Sequence, residues 1–356
     1  MKKVAIIGTQ GVPACYGGFE SLVENIIGEK AGADVQYTVF CSSRDLPTSH
    51  KEYKGCRLRY TRLHANGMQS VPYDIISMLK ACHGFDAIVV LGVSGCIFLP
   101  VLRVLTRAKI IVNIDGIEHR RDKWNTTARR FLKISEQMAV RFAHEVIADN
   151  KGIQEYVSET YGKPTRLIAY GGDQVALHLP PERQAVILAH NGLTAGDYAI
   201  TVCRIEPENN CHITLEAFAR TDRTLVFIGN WHHSEYARAL YDKYKHLPHF
   251  HLKESIYDPD ILYTLRANAS SYVHGHSAGG TNPSLVEAMF FGRPIYCYDV
   301  VYNRETTHGA AAYFHDADSL LELLDGEKAG DGEELRRIAE SEYRWAKIAR
   351  QYEAIY

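Results

Sequence analysis

The sequence lacks paired cysteines, a long apolar run and an excess of charge of either sign. Its 8 cysteines among 356 residues are scattered singly with no Cys-x-x-Cys pair, which excludes a zinc knuckle and is typical of reduced thiols in a cytosolic chain. The longest apolar stretch, residues 87–102, is shorter than the ~20 residues that a membrane-spanning helix needs, and Gly95 and Pro100 interrupt it. The first apolar run ends after four residues at Gly8, so we expect a β-strand there rather than a signal peptide.

Charge is balanced over the whole chain but unevenly distributed along it. Lys and Arg number 40 and Asp and Glu number 42, a net charge of -2. This balance argues against nucleic acid as a partner, because general nucleic-acid binders need a basic surface. Residues 103–141 nevertheless contain ten basic and four acidic residues, whereas residues 316–342 contain ten acidic and three basic ones.

Short β-branched runs alternate with helical patterns from one end of the chain to the other. This alternation is typical of parallel sheets with helices on both faces, and the length favours two such domains. We predict an α/β protein with two doubly wound, Rossmann-like domains, residues 1–170 and 171–332, and a final helix over residues 333–356. The predicted strands are residues 4–7, 36–41, 87–91, 110–114, 145–148 and 165–169, then 199–203, 225–229, 249–253, 271–274, 294–298 and 312–314.

The first strand is followed by a glycine-rich loop that leads into a helical pattern at Gly17 and Gly18. The spacing matches neither Gly-x-Gly-x-x-Gly nor Gly-x-x-x-x-Gly-Lys-Ser/Thr, so the dinucleotide and P-loop motifs are absent. Two glycines at a helix start allow a ligand to approach closely, and the N–H groups there favour an anion. The alternative is that the pair only turns the chain.

A second Gly-Gly loop, in the second half of the chain, also leads into a helix. Gly279 and Gly280 precede Asn282, which has the position of an N-cap, and Pro283 occupies the first helical position. Anion binding is again the natural use of the loop, and Glu287 could accept hydrogen bonds from two neighbouring ribose hydroxyls. The alternative is that Glu287 only complements the helix dipole.

Arg204 directly follows the first predicted strand of the second domain. In open α/β sheets ligands bind beyond the carboxyl ends of the strands. A planar, permanently charged guanidinium at that place is suited to bidentate phosphate binding. The alternative is a surface ion pair with Glu206 or Glu208.

Together, and in this order, the three segments resemble the GT-B glycosyltransferases of family 4, and more closely their bacterial rhamnosyltransferase-like branch. That branch shares Gly-Thr-x-Gly-x-Pro-x-x-Tyr-Gly-Gly-Phe-Glu, found here from Gly8, and Gly-Gly-Thr-Asn-Pro-Ser-Leu-x-Glu-Ala, found here from Gly279. The resemblance covers nearly the whole chain. It implies a GT-B fold with an interdomain cleft, an acceptor on the first domain, a nucleotide-sugar on the second, neither metal nor cofactor, and a C-terminal helix that the fold allows to cross back to the first domain.

The resemblance also implies roles for individual residues. Arg204 matches the arginine that grips the diphosphate, Glu287 the carboxylate that holds the ribose, and Asp115 lies where many members place a histidine near the transferred sugar. Glu118 joins Asp115 as a candidate for a polar role near the sugar or acceptor, with capping of the turn before Arg120 as the alternative. The nucleotide-sugar-binding set comprises Gly17, Gly18, Asn209, Gly279, Gly280, Thr281, Asn282, Ser284 and Glu287.

Two positions depart from the family pattern. The family usually has a lysine five residues after the arginine, where this chain has Asn209, so one cation against the leaving diphosphate is lost. The broader family also has a glutamate where this chain has Gly279. Either the branch uses other groups or the chain is a weakened enzyme. We favour the first explanation, because the branch shares the Pro-Glu-Asn-Asn and Gly-Gly-Thr-Asn-Pro segments.

The predicted protein is a nucleotide-sugar-dependent hexosyltransferase. The resemblance implies retaining transfer of rhamnose from dTDP-rhamnose, within a wider class of dTDP- or UDP-sugar donors, onto a saccharide acceptor linked to a lipid diphosphate, in bacterial surface polysaccharide assembly. Charge on the departing diphosphate makes electrostatic stabilisation the main catalytic task, with Arg204 as its cation. The alternatives are a degenerate, non-catalytic assembly partner and an NAD-dependent oxidoreductase, which would lack its glycine fingerprint.

Two Asp-x-Asp triplets, at residues 258–260 and 316–318, raise the question of a metal-dependent transferase. Both precede helical patterns, where Asp is a favoured cap residue. We therefore predict two helix caps and no metal site.

A helical pattern over residues 126–146 lies in the basic stretch. Phe131 and Phe142 recur on one face, and Arg130, Lys133 and Arg141 line another. A cationic edge of this kind can attach a protein to an anionic leaflet, which would suit a lipid-linked acceptor and a cytoplasmic enzyme on the inner face of the membrane. The alternative is that the apolar face packs on the sheet and the basic edge is solvated.

Overall fold

The computed structural model describes residues 1–14, 17–29, 34–46, 50–114, 116–121, 124–326 and 330–356. The chain forms two compact units, one of Met1–Tyr170 with Trp345–Tyr356 and one of Gly171–Arg344. Each unit contains its own sheet, in which β-branched and other apolar residues of the strands are buried. No helix among the described residues is both long and apolar enough to cross a bilayer.

The sheet of the first unit has the strand order β3-β4-β2-β1-β5-β6-β7-β8 in the described residues. All neighbouring strands are parallel except β3 and β4. The strands are β1 Lys2–Ile7, β2 Val35–Ser42, β3 Glu52–Tyr53, β4 Cys56–Thr61, β5 Ala87–Leu91, β6 Lys109–Asn113, β7 Glu145–Ala148 and β8 Arg166–Leu167.

Helices of the first unit connect these parallel strands and bury one face each. On α1, for example, Leu22, Val23, Ile26 and Ile27 join the core formed with β1 and β2. The helices are α1 Gly17–Glu29, α2 Ser70–Ala81, α3 Leu99–Leu105, α4 Thr126–Phe142, α5 Lys151–Tyr161 and α14 Trp345–Glu353, with 3-10 turns at Gly67–Gln69, Cys96–Phe98 and Glu118–Arg120.

The second unit repeats the plan with an all-parallel sheet in the order β11-β10-β9-β12-β13-β14. Its strands are β9 Tyr198–Val202, β10 Thr224–Ile228, β11 Phe250–Lys253, β12 Ser271–His274, β13 Ile295–Tyr298 and β14 Ala312–Phe314. Its helices are α6 Pro181–His190, α7 Cys211–Phe218, α8 Glu235–Tyr244, α9 Pro259–Ala267, α10 Pro283–Met289, α11 Val301–Thr306, α12 Ala317–Asp325 and α13 Gly332–Glu342, with 3-10 turns at Asp173–Val175 and Pro207–Asn209.

The predicted strands are confirmed, mostly to within one residue at each end, but the short strand β3, the strand β4 and the helix α6 were missed. The segment at residues 56–61 alternates buried and exposed side chains and adds β4 beside β2. That period of two is a strand signal, although Arg57 and Arg59 make the segment strongly polar. The stretch after residue 178, where no strand is predicted, contains α6, which begins at Pro181 after Pro180.

The final helix predicted over residues 333–356 is wrong as a single element. It consists of α13 in the second unit and α14 in the first, separated at Tyr343 and Arg344. The backbone carbonyl of Tyr343 accepts from the Gly172 N–H at 2.8 Å, and its hydroxyl donates to the Thr306 carbonyl at 2.9 Å. These bonds hold Tyr343 in a non-helical conformation with φ -115° and ψ 29°. The apolar positions keep a helical period across the break, so the pattern itself carries no sign of it.

Candidate active site

Arg204 lies two residues beyond the carboxyl end of β9, where ligands bind in open α/β sheets. Its Nη1 atom is 3.4 Å from Glu206 Oε1, and 45% of its side chain is exposed. The surface ion pair considered from the sequence is therefore present. Such a pair contributes about 0–1 kcal/mol, whereas a hydrogen bond to a charged phosphate contributes about 1.5–3 kcal/mol, so a bound diphosphate would outcompete Glu206.

Asn209 connects the Arg204 segment to the loop that follows β12. Its Nδ2 donates to the Arg204 carbonyl at 2.7 Å, and its Oδ1 is 2.6 Å from His276 Nδ1. The side chain is buried, and a Cβ added at Gly275 would lie 2.2 Å from the Asn209 carbonyl oxygen. Where the family usually has a cation, this chain thus has a buried amide that fixes the backbone beside Arg204.

The second Gly-Gly loop has the predicted local structure. Asn282 is the N-cap of α10, and its side chain accepts from the Ser284 N–H at 2.9 Å, with Pro283 at the first helical position. Thr281 is buried. Gly279 has φ +87°, a conformation that non-glycine residues rarely adopt. The position where the broader family has a glutamate is thus one where this loop uses the freedom of glycine.

Glu287 lies in α10 with 17% of its side chain exposed. One carboxylate oxygen is 2.8 Å from Arg266 Nη1, and the other accepts from Gln174 Nε2 at 2.7 Å. Sequence reasoning missed both partners. Gln174 is 113 residues away from Glu287, and Arg266 occupies an ordinary helix position before β12, so neither carries a local signal.

Gly17 and Gly18 belong to the first unit and begin α1. Gly17 has φ +77°, and a Cβ there would lie 2.8 Å from Glu20 Oε2. Glu20 is buried and accepts from the Thr9 hydroxyl at 2.8 Å and the Gln10 N–H at 2.7 Å. Burial raises the pKa of Glu20 above its usual value. Glu20, which sequence reasoning did not single out, is the last residue of the first quoted motif.

Glu118 lies in the 3-10 turn that follows β6. Its carboxylate is 3.1 Å from Arg121 Nη1 and accepts from Trp124 Nε1 at 2.9 Å. These contacts are those of a residue that fixes its own turn. Asp115, the other catalytic candidate of this segment, lies outside the described residues.

The predicted basic face of α4 separates into two parts. Arg130 and Arg141 are exposed. Lys133 turns inward toward Glu136, 3.3 Å away, and over the rings of Tyr156 and Tyr161. The buried face consists of other positions than the predicted Phe131 and Phe142, which are half-buried: Leu132, Ser135, Glu136, Ala139 and Val140.

Both Asp-x-Asp triplets are helix caps, as predicted. Asp258 accepts from the backbone N–H groups of Asp260 and Ile261 at the start of α9, and Asp316 forms a capping box with Ser319 at the start of α12. Within the described residues, no group of three or more His, Cys, Asp or Glu side chains is arranged to hold a metal ion.

Each half of the chain matches the model of a known protein family. Residues 1–173 match a domain of unknown function, DUF1972, and residues 190–340 match the glycosyl transferases group 1 family. The second half is therefore similar to a group 1 glycosyltransferase domain. The predicted enzyme class, a nucleotide-sugar glycosyltransferase, is thereby confirmed, and the oxidoreductase alternative is removed. No curated protein matches the sequence.

Solved glycosyltransferase structures share the fold over the entire chain. Sucrose-phosphate synthase from Thermosynechococcus elongatus is 18% identical, with a TM-score of 0.82 and coverage of 100% of this chain and 98% of that one. HepE from Anabaena, solved with UDP and glucose, is 15% identical, with a TM-score of 0.77 and 99% coverage of both chains. The starch synthase IV catalytic domain from Arabidopsis thaliana, bound to ADP and acarbose, is 13% identical, with a TM-score of 0.71 and coverage of 99% and 98%. The glycosyltransferase therefore has the predicted GT-B fold.

Proposed function

We propose that this glycosyltransferase moves rhamnose from dTDP-rhamnose, with retention, onto a saccharide linked to a lipid diphosphate during assembly of a bacterial surface polysaccharide. The main structural support for this site is the position of Arg204 beyond β9. Asn209 connects the Arg204 segment to the loop after β12 through hydrogen bonds to the Arg204 carbonyl and to His276. The donor sugar and acceptor come from the resemblance of the two Gly-Gly motifs to the rhamnosyltransferase-like branch. Structural neighbours solved with UDP or ADP support a nucleoside diphosphate as the leaving group.

Arg204 has the central electrostatic role in this proposal. Cleavage of the sugar–phosphate bond leaves negative charge on the diphosphate, and preorganised donors directed at that charge lower the barrier. Arg204 would exchange Glu206 for the diphosphate, and the backbone N–H groups of the loop at residues 280–282 would add further donors. Glu287 would accept a hydrogen bond from the 3′-hydroxyl of the dTDP deoxyribose, or from both hydroxyls of the ribose in a UDP-sugar.

The glycine loop of the first unit has a supporting role in the proposal. Gly17 and Gly18 would allow the backbone to approach the phosphates, while Glu118, together with Asp115, would contact the sugar or acceptor. Transfer with retention has the acceptor hydroxyl attack on the face from which the diphosphate leaves, so no carboxylate nucleophile is required of the chain.

A donor panel tests the proposal. Purified protein is given dTDP-rhamnose and several UDP-hexoses with a lipid-diphosphate saccharide acceptor, and products are identified by mass spectrometry. Arg204→Ala should lower kcat/KM by about 10²-fold or more, as loss of a transition-state charge partner does. Arg337→Ala, which removes an exposed arginine paired with Glu334 on α13, is the matched control and should leave activity unchanged.

Each outcome of that panel has a distinct meaning. Higher activity with UDP-hexoses than with dTDP-rhamnose would correct the donor and keep the enzyme class. Folded wild-type protein that transfers no sugar from any donor would favour the degenerate assembly partner. Equal activity of the Arg204→Ala and wild-type proteins would remove Arg204 from the mechanism.

The basic edge of the first unit supports a membrane-bound acceptor. Arg130, Ile134 and Arg141 are exposed on α4. On α3, which packs against α4, Val104 is 85% and Val101 49% exposed. Cations beside exposed apolar side chains bind anionic leaflets, at about 1 kcal/mol per basic residue. Sedimentation with anionic vesicles should be weakened by Arg130→Glu/Arg141→Glu, and equal binding to neutral vesicles would contradict the electrostatic attachment.

A further inference from the structure

Arg266 is a buried charge that the proposed chemistry leaves unexplained. It lies in α9 with 3% of its side chain exposed, and Nη1 is 2.8 Å from Glu287 Oε2. Neither Nε nor Nη1 has a hydrogen-bond partner among the described residues, so the contact with Glu287 is an ion pair without a directed N–H. Arginine is almost never fully buried unless it is paired, which makes Glu287 the group that accounts for this position.

A contribution to stability does not by itself explain why the buried ion pair of Arg266 and Glu287 is present. Replacing a buried ion pair with apolar residues of similar volume is often neutral or stabilising, because the desolvation penalty can exceed the Coulombic gain. Arg266 lines a small cavity beside Arg293 and Ser271, and the other lining side chains are apolar or aromatic: Ile200, Ala269, Tyr272, Ala288 and Phe291. The effect of the guanidinium on Glu287 is therefore the property that an apolar residue could not supply.

The pair fixes the orientation of the Glu287 carboxylate. Arg266 engages one oxygen and Gln174 the other, at 2.8 and 2.7 Å. Because each ionised carboxylate oxygen can accept more than one hydrogen bond, both oxygens keep capacity for a further donor, and 17% of the side chain is exposed. The two hydroxyls of a ribose, or the single 3′-hydroxyl of a deoxyribose, need acceptor oxygens in a fixed place, which a carboxylate held at both oxygens provides.

We propose that Arg266 is a positioning residue that holds the Glu287 carboxylate in the orientation needed to accept from the sugar hydroxyls of the donor nucleotide. Through Glu287 it determines how strongly the enzyme distinguishes a nucleotide with ribose hydroxyls from one without them. This inference rests on the proposed role of Glu287 as the ribose acceptor. Because only 3% of its side chain is exposed, Arg266 acts through Glu287 in this proposal, and its removal should change nucleotide affinity only where a hydroxyl is present.

Calorimetric binding of matched nucleotides to the full-length protein tests this inference. The probes are UDP against 2′,3′-dideoxy-UDP and dTDP against 3′-deoxy-dTDP, so that the comparison does not depend on the base. Wild-type protein should bind the hydroxylated member of each pair about tenfold more tightly, the effect of a hydrogen bond to a charged acceptor. Arg266→Met should reduce that ratio to about two, with the affinity for the deoxy member unchanged.

Two further variants separate positioning from folding. Arg266→Lys keeps the charge and should recover part of the ratio. Arg293→Met is the matched control, because Arg293 is a neighbouring arginine whose Nε and Nη2 bond the Ala267 carbonyl rather than Glu287. It should leave both ratios at the wild-type value.

The outcomes of this experiment are distinguishable. If Arg266→Met weakens both members of a pair equally, Arg266 is only structural and the inference is overturned. If Glu287→Gln keeps the wild-type ratio, Glu287 does not hold the ribose and the proposed site itself fails. Should Arg266→Met not fold, the neutral double variant Arg266→Met/Glu287→Gln should show the ratio of Glu287→Gln alone, and a lower ratio would overturn the inference.

Discussion

Two glutamates follow the two Gly-Gly motifs, and the units hold them in opposite ways. Glu20 in α1 is 6% exposed and accepts hydrogen bonds from Thr9 and Gln10 of its own loop. No ion pair to Glu20 is found in the part of the chain that the structure describes. Glu287 in α10 is more exposed and has Arg266 against one oxygen. Glu20 therefore stabilises the loop that precedes it, whereas Glu287 is a charged acceptor presented to solvent.

A Gly-Gly motif followed by a glutamate therefore does not determine the role of that glutamate. Without a cation, burial raises the pKa of Glu20, because desolvation disfavours the charged form. With Arg266 beside it, Glu287 has a compensating positive charge. A partner from a distant part of the chain therefore distinguishes Glu20, which bonds its own loop, from Glu287, the proposed binding carboxylate.

Asp74 in α2 is, like Glu20, a buried carboxyl, but it is more completely buried. It gives the largest expected effect on the free energy of unfolding. Its Oδ2 accepts from the Gly95 N–H at 3.1 Å, its Oδ1 has no hydrogen-bond partner among the described residues, and burial raises its pKa to about 8. Because the folded-state pKa exceeds the unfolded value, stability is lost as pH rises from about 4 through 8. Asp74→Asn should remove that loss, which is on the order of 5 kcal/mol.

Urea unfolding of both proteins at pH 5, 7 and 9 measures this effect. The Asp74→Asn variant should gain stability relative to wild type at each step upward in pH. A constant difference between the two proteins across this range would show that Asp74 is ionised in the folded state.

Glu287→Gln and Glu20→Gln test the central comparison directly. Glu287→Gln leaves the buried Arg266 uncompensated and should lower the free energy of unfolding by about 3 kcal/mol, as breaking a buried pair does. Glu20→Gln keeps an oxygen that can accept from Thr9 and Gln10, so its cost at pH 7 should be within about 1 kcal/mol. Since the pKa of Glu20 is raised in the folded state, Glu20→Gln should improve relative to wild type as pH rises above 4.5.

Chemical denaturation at pH 4.5 and 7 checks both variants. Addition of Arg266→Met to Glu287→Gln should restore part of the lost stability, because it removes the uncompensated charge. Equal costs for the two glutamate substitutions at pH 7 would contradict the assignment of different roles.

The architecture could be predicted from the sequence because the buried strands of a parallel sheet are short, continuous apolar runs. Strands such as residues 87–91 and 271–274 are continuous buried apolar runs, and their structure coincides with the prediction. The strand at Cys56–Thr61 was missed because it lies near the sheet edge, where Arg57 and Arg59 make it polar. The break at Tyr343 was missed because its cause, the bonds to Gly172 and Thr306, comes from distant residues.

The residues of the candidate site also differ in whether the sequence around them carries a local signal. Arg204, Asn282 and Glu287 could be proposed from the sequence because each stands at a fixed offset from a strand end or a glycine motif. Arg266 and Gln174 were not, since the contacts that define their roles join α9, α10 and a 3-10 turn. Local patterns identify residues at loop and helix starts, whereas the groups that set charge and orientation are specified by packing.

Alanine substitutions in the two glycine loops should have the smallest effect on stability. Gly17 and Gly279 have φ +77° and +87°, where an L-residue costs about 1–2 kcal/mol. Gly17→Ala adds a Cβ 2.8 Å from Glu20 Oε2, so it should also disturb the carboxyl that fixes the first loop. Gly279→Ala should cost the backbone strain and should lower affinity for the nucleotide through the shifted loop. Thermal unfolding with and without UDP separates the two variants: Gly17→Ala should lose more stability in the absence of nucleotide, and Gly279→Ala should lose more of the stabilisation that UDP provides. If the order is reversed, the loop after β12 is the more rigid one, and its backbone N–H groups are poor candidates for binding a diphosphate.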